Sequence, residues 1–154
     1  MNKYEELIQE AADNNVNVHD FRLEDNLSGL YVDGNVAIDT GIETTTEKTC
    51  VLAEELGHHH TTVGNILDLS DAQNAKQERQ ARLWAYNKQI GLRGIVNAFE
   101  HGCRSSQEIA EHLGVTDEFL YDAVECYRDK YGLYKEVDNY IIYFIPNLRI
   151  GKMI

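Results

Sequence analysis

Proline occurs once in the 154 residues, at Pro146, and tracts rich in serine or glycine are missing, as are internal repeats. The sequence therefore offers no linker and no solenoid period. Long apolar runs are also missing: none reaches the roughly 18 residues that a membrane helix requires. The acidic, amphipathic start MNKYEELIQEAADNN lacks the apolar segment of a signal peptide. The expectation is a cytoplasmic protein with no membrane partner. Cysteine is limited to Cys50, Cys103 and Cys126, odd in number and widely spaced, which suits reduced and mostly buried thiols rather than a disulfide frame. Basic residues are scarce too, with 14 Lys and Arg against 26 Asp and Glu and a formal net charge of −12. Phosphate neutralisation needs clustered cations, so nucleic acid is not an expected partner.

What is present is enough to fold. Hydrophobic residues make up 43% of the chain, and the length is that of one domain with its own core. Tyr4, Leu7, Ile8, Ala11 and Ala12 recur at helical spacing. VNVHDF reads as a short strand, and in LYVDGNVAID the pair Asp33-Gly34 between apolar residues is a hairpin signal, because both turn positions need positive φ. Thr44 and Glu47 form a capping box ahead of TCVLAEELGHHH, which places that stretch on a helix. Ser70 and Gln73 repeat the signal before a second long helix that stops at Gly91. A third helix, LRGIVNAFEHG, ends at Gly102. Two more follow, with Ser105 and Glu108 as a capping box and Gly114 and Gly132 as stops. LYKEVDNYIIYFIP closes as a hairpin around Asp138-Asn139, with Pro146 ending the strand. The predicted class is α+β: a small antiparallel sheet packed on a helical core, then a helical lobe and a terminal hairpin. The expected division is 1–91 for the core and 92–154 for the lobe, within one compact chain.

The stretch VLAEELGHHH is close to H-E-x-x-H, with Glu54 where the first histidine would stand. Glu54 and His58, four residues apart, project from one helix face at neighbouring heights and are candidates for one metal ion. In H-E-x-x-H the outer residues hold zinc and the inner glutamate takes a proton from water, which makes Glu55 the candidate catalytic base. A catalytic zinc site takes three protein ligands, and Glu78 on the next helix is the candidate third. It shares a face with Ala81 and Ala85, whose small side chains let helices approach. Two carboxylates and one neutral imidazole cancel the charge of a divalent ion, which weakens it as a Lewis acid. The same exchange shifts preference from Zn2+ toward harder ions such as Mn2+.

Four stretches together resemble the ImmA/IrrE family of metallopeptidases: GLYVDGNVAID, VLAEELGHHHTTVGNI, ERQARLWA and SSQEIAEHLGVTDEFL. In that family the motif helix usually reads H-E-L-G-H, and the next helix carries E-x-x-A-x-x-[FW]-A, here intact as Glu78, Ala81, Trp84 and Ala85. The chain departs from the family pattern at Glu54. The resemblance implies a zincin-like helical core and a zinc peptidase that cleaves, or otherwise antagonises, a helix-turn-helix repressor keeping a phage or mobile element silent.

Other readings stand beside it. The exchange at Glu54 also suits a non-catalytic antirepressor that binds the repressor through a degenerate peptidase fold. S-x-x-E-I-A-x-x-L-G-V-T, from Ser105, also opens many helix-turn-helix units, so a DNA-binding regulator is a third reading. Its would-be recognition helix carries Asp117, Glu118, Asp122, Glu125 and Asp129 against Arg128 and Lys130, which phosphates repel; the unit is read instead as a lobe that docks the repressor. His59 and His60 run on around other sides of the motif helix and are read as packing or exposed. Cys50 is read as core rather than as a thiolate ligand, and Trp84 and Tyr86 as packing. His101 and His112 have no spacing link to the site, and their alternative role is stabilising a tetrahedral intermediate.

Overall fold

The computed structural model describes residues 1–61 and 71–153. Among them are six helices and six strands: α1 (Lys3–Asp13), β1 (Asn17–Phe21), β2 (Gly29–Val32), β3 (Asn35–Asp39), α2 (Thr45–Thr61), α3 (Asp71–Gln89), α4 (Gly91–Glu100), α5 (Ser106–Leu113), α6 (Asp117–Tyr131), β4 (Tyr134–Val137), β5 (Tyr140–Tyr143) and β6 (Arg149–Lys152). The class is α+β. Contacts divide the chain into Met1–Ala85 and Tyr86–Ile154, the division falling within α3.

In the first unit, α1 starts on a reciprocal cap: the Glu5 amide donates to Asn2 Oδ1 at 2.8 Å, and the Asn2 amide donates to Glu5 Oε1 at 3.3 Å. Such a pair satisfies two amides that the first helical turn leaves without partners. Leu7 and Ala11 face inward, and Asn15, at φ 61°, turns the chain into β1. Asp33 and Gly34 take φ of 45° and 80°, so the hairpin turn joins β2 to β3 where its residue types predict.

The sheet is ordered β1-β3-β2. β2 and β3 pair antiparallel, whereas β1 pairs parallel to β3, so the sheet is mixed rather than purely antiparallel. The pairing is non-local: β1 leaves α1 and lines up beside β3, with the β2 strand and its preceding loop intervening in sequence. Val36 and Ile38 of the central strand are fully buried.

Helix α2 begins with the Glu47 amide donating to Thr44 Oγ1 at 3.1 Å. Thr49, Leu52, Ala53 and Leu56 are buried at helical spacing, and Thr49 donates its hydroxyl to the Thr45 carbonyl at 2.8 Å. Leu52 and Leu56 are each 1% exposed or less. Burying a leucine so completely contributes about 1.5–3 kcal/mol, enough to hold the helix against α1 and the sheet. The expected cap at Ser70 lies outside the described residues.

In the second unit, Ser105 caps α5 by accepting from the Glu108 amide at 3.1 Å, and Thr116 caps α6 by accepting from the Phe119 amide at 3.0 Å. Gly114, at φ 70°, stops α5 in the left-handed conformation a side chain resists. Tyr127, fully buried, donates to Asn87 Oδ1 at 3.0 Å. After α6, β4 and β5 form the expected hairpin, turning at Asp138 with φ 53°. The third strand of this antiparallel sheet, β6, was not evident from RIGK, which is short and lacks alternation.

Candidate functional site

Two of the predicted ligands meet between α2 and α3. His58 Nε2 stands 3.2 Å from Glu78 Oε2. What permits this is Gly57, next to His58: a Cβ there would come 2.2 Å from the Ala81 carbonyl oxygen, so the helices cross in contact only because that position has no side chain. Ala81 and Ala85, both fully buried, keep the facing surface of α3 equally flat. The other carboxylate oxygen of Glu78, Oε1, accepts from Arg82 Nε at 3.1 Å, which fixes its rotamer.

Glu55 lies on the next stripe of α2. Its Oε2 is buried and accepts no hydrogen bond from any described residue. Burial, and then the negative charges of Glu54 and Glu78, push its carboxyl up to about 7. A carboxyl group held near neutrality is what a general base needs, because it can both take and return a proton at physiological pH. Edge strand β2 closes over this stripe. A Cβ at Gly29 would come 2.7 Å from Val51 Cγ1 and 3.0 Å from Glu55 Cγ, so main chain lies against the glutamate.

Glu54 is half-buried on α2, and its charge is felt at Glu55. It is not drawn into a group with the other two: among the described residues, no set of three or more His, Cys, Asp or Glu side chains stands close enough to hold a metal ion. Three features nonetheless fit a divalent cation. A zinc ion bound tetrahedrally at about 2.0 Å separates its ligand atoms by about 3.3 Å, close to the His58–Glu78 distance. Imidazole and carboxylate are ordinary ligands for such an ion. A buried, unpartnered carboxylate oxygen beside two further carboxylates is a concentration of negative charge that a cation relieves.

The remaining histidines have separate employment. His59 Nδ1 lies 2.7 Å from the Tyr31 hydroxyl, which also accepts from the Gly34 amide at 3.1 Å. His60 stacks on Trp84 at 4.6 Å between ring centroids. Tyr31 is the residue that sequence reasoning missed. Its signal was the two-residue period that puts it on the same face of β2 as Gly29, toward α2. Cys50 is buried, and Tyr86, also buried, packs edge-on to Phe119 at 5.1 Å. His101 and His112 belong to the second unit and face each other at 4.7 Å. A cleft of about 790 Å³ in the first unit, among residues 22–28 and 39–47, contains none of Glu54, Glu55, His58 and Glu78.

No helix among the described residues is long and apolar enough to cross a membrane. Neither a curated protein nor a solved structure matches the chain. A family model does: the IrrE N-terminal-like domain, Peptidase M78, over residues 6–125. That match takes in most of α1, the mixed sheet, the His58–Glu78 pair with the buried Glu55, and the chain onward through α5 into α6, and the chain belongs to the IrrE N-terminal-like peptidase family.

Proposed function

We propose that this chain is a metal-dependent endopeptidase that acts inside the cell on a helix-turn-helix repressor of a phage or mobile element and thereby relieves repression. The observation that carries the reading is the His58–Glu78 pair at 3.2 Å beside a buried carboxylate with one uncommitted oxygen. Glu54, His58 and Glu78 would hold the ion, Zn2+ or Mn2+. When bound, such an ion supplies Lewis acidity toward a peptide carbonyl and makes water acidic enough to attack near neutral pH.

The chain's own residues do the rest. Glu55, pushed up to about 7, takes the proton of the attacking water on Oε2 and returns it to the amine nitrogen as the carbon–nitrogen bond breaks. Arg82 holds the Glu78 carboxylate in place through Oε1 and leaves Oε2 facing His58. β2 is an edge strand, so an extended peptide pairing with its open side would run past Gly29 and hence past Glu55. Leu30 and Val32, 42% and 53% exposed on the opposite face of β2, flank that edge.

The test is incubation of the purified protein with the repressor encoded beside it. Cleavage that needs added Zn2+ or Mn2+, stops with EDTA and is lost in Glu55→Gln supports the reading; cleavage undiminished in Glu55→Gln removes Glu55 from its role. A second reading rests on the departure at Glu54, where the family's motif usually has histidine. On that reading the protein is an antirepressor that binds without cutting, and the repressor would be captured intact whether Glu55 is present or not.

A further inference from the structure

The second unit has a cleft that the peptidase reading does not use. It measures about 560 Å³ and lies between α6 and the turn that leads from β5 into β6. Its walls are apolar: Leu120 and Val124 on the helix, Phe144, Pro146 and Leu148 on the turn. Tyr121 stands at the margin, 66% exposed, with Ile145 nearby in sequence to the turn residues and 40% exposed. Three carboxylates, Asp117, Glu118 and Glu125, share its polar margin with Ser106, Gln107 and Asn147, and no lysine or arginine takes part in the lining. Arg128 pairs with Glu125 from one turn further along the helix, which leaves the two carboxylates at the start of α6 to set the sign of the field.

A helix-turn-helix unit meets DNA through its second helix, which succeeds by presenting cations to phosphates. Here α6, in that position, presents carboxylates beside an apolar trough. An acidic margin with an apolar floor is complementary to a helix that is basic on its flanks and apolar along one side. We infer that the α6–turn cleft is a docking groove for a cationic amphipathic helix of a protein partner. The repressor proposed above would offer such a segment in its own DNA-reading helix, and only this identification of the occupant rests on that proposal; the groove's preference does not depend on peptidase activity.

The test uses the full chain and a fluorescent peptide with Lys and Leu at amphipathic helical spacing, with a Glu/Leu peptide of the same spacing as its counterpart. Fluorescence anisotropy should show the cationic peptide binding and the anionic one not. Affinity should fall at least about tenfold in Asp117→Lys/Glu118→Lys and in Tyr121→Ala, since a buried aromatic anchor and a desolvated charge carry much of such an interface. Both variants alter exposed or half-exposed groups, and unchanged circular dichroism confirms that they fold. The reversal Glu100→Lys/Glu111→Lys, on exposed positions of the same unit that do not line the cleft, should leave affinity unchanged. Equal weakening by that control would overturn the inference, because general acidity would then account for binding. So would a duplex DNA that binds the groove in place of the peptide, or no binding at all. A chain that binds the peptide and leaves the repressor uncut keeps the groove and loses the peptidase. One that cuts the repressor and ignores the peptide does the reverse.

Discussion

Gly57 and Ala81 touch: no heavier residue than glycine fits opposite the Ala81 carbonyl, from which a Cβ would stand 2.2 Å. The contact sets the separation of α2 and α3 at the level of the candidate ligands. Gly57→Ala should therefore do two things at once. Despite alanine's better helix propensity, overpacking should destabilise the protein by about 1–3 kcal/mol. Moving the helices apart should also part His58 from Glu78 and lower zinc affinity. Thermal melts and a zinc competition titration read the two effects separately; a variant with higher Tm and unchanged zinc affinity would contradict the close-contact argument.

Glu55 makes a prediction about pH in the metal-stripped protein. Its folded value of about 7 lies above the ordinary 4.5, so between those values the folded chain holds a proton that the unfolded chain has released. The raised group therefore contributes its stability at low pH and loses it as the pH rises through 7. Glu55→Gln keeps the shape and removes the titration. One pKa unit is worth about 1.4 kcal/mol. After discounting for partial exposure, the variant should gain about 1–3 kcal/mol on its parent between about pH 5 and pH 8. Denaturant melts at the two pH values check this; parallel curves for both proteins would refute it.

The departure from the family pattern at position 54 can be reversed. Glu54→His recreates the H-E-x-x-H pattern on the same helix face and should raise zinc affinity and the preference for zinc over manganese. If Glu78 holds the proposed ion, Glu78→Gln should lower zinc affinity at least about tenfold, by removing a carboxylate that Arg82 contacts. Competition against a chromophoric chelator measures both. If Glu54→His leaves affinity unchanged, position 54 is not a ligand.

Tyr31 ties the β2–β3 turn to α2, through the Gly34 amide on one side and His59 on the other. Tyr31→Phe keeps the ring and deletes both bonds, which should destabilise the protein by about 1–2 kcal/mol. His59→Ala should lose less, because the Gly34 amide keeps its acceptor. Paired thermal melts of the two variants decide the order.

How far these features could be foreseen depended on how local they are. The Asp33-Gly34 turn, the caps at Thr44 and Ser105 and the stop at Gly114 each depend on residues within a few positions, and each was legible. The parallel pairing of β1 with β3 was not, since nothing in VNVHDF says which strand it will lie beside. Of the candidate site, the nearness of His58 to Glu78 was foreshadowed by the spacing of a motif and a family pattern, and the place of Glu55 beside them by the same motif. The Tyr31–His59 bond, 28 positions apart, is a product of the packing of β2 on α2 and left only a faint mark in the two-residue period. The raised Glu55 carboxyl also needed coordinates, because burial is what lifts it.

The uncommitted oxygen of Glu55 has a bearing on how the protein endures heat. A chain that folds around unneutralised charge is a chain whose melting temperature reports what is in the surrounding solution. Any divalent ion that binds the folded form alone, at a hundred times its dissociation constant, stabilises it by about 2.7 kcal/mol. Withdrawing such an ion would remove that stabilisation and lower the melting temperature, with no change in the chain itself.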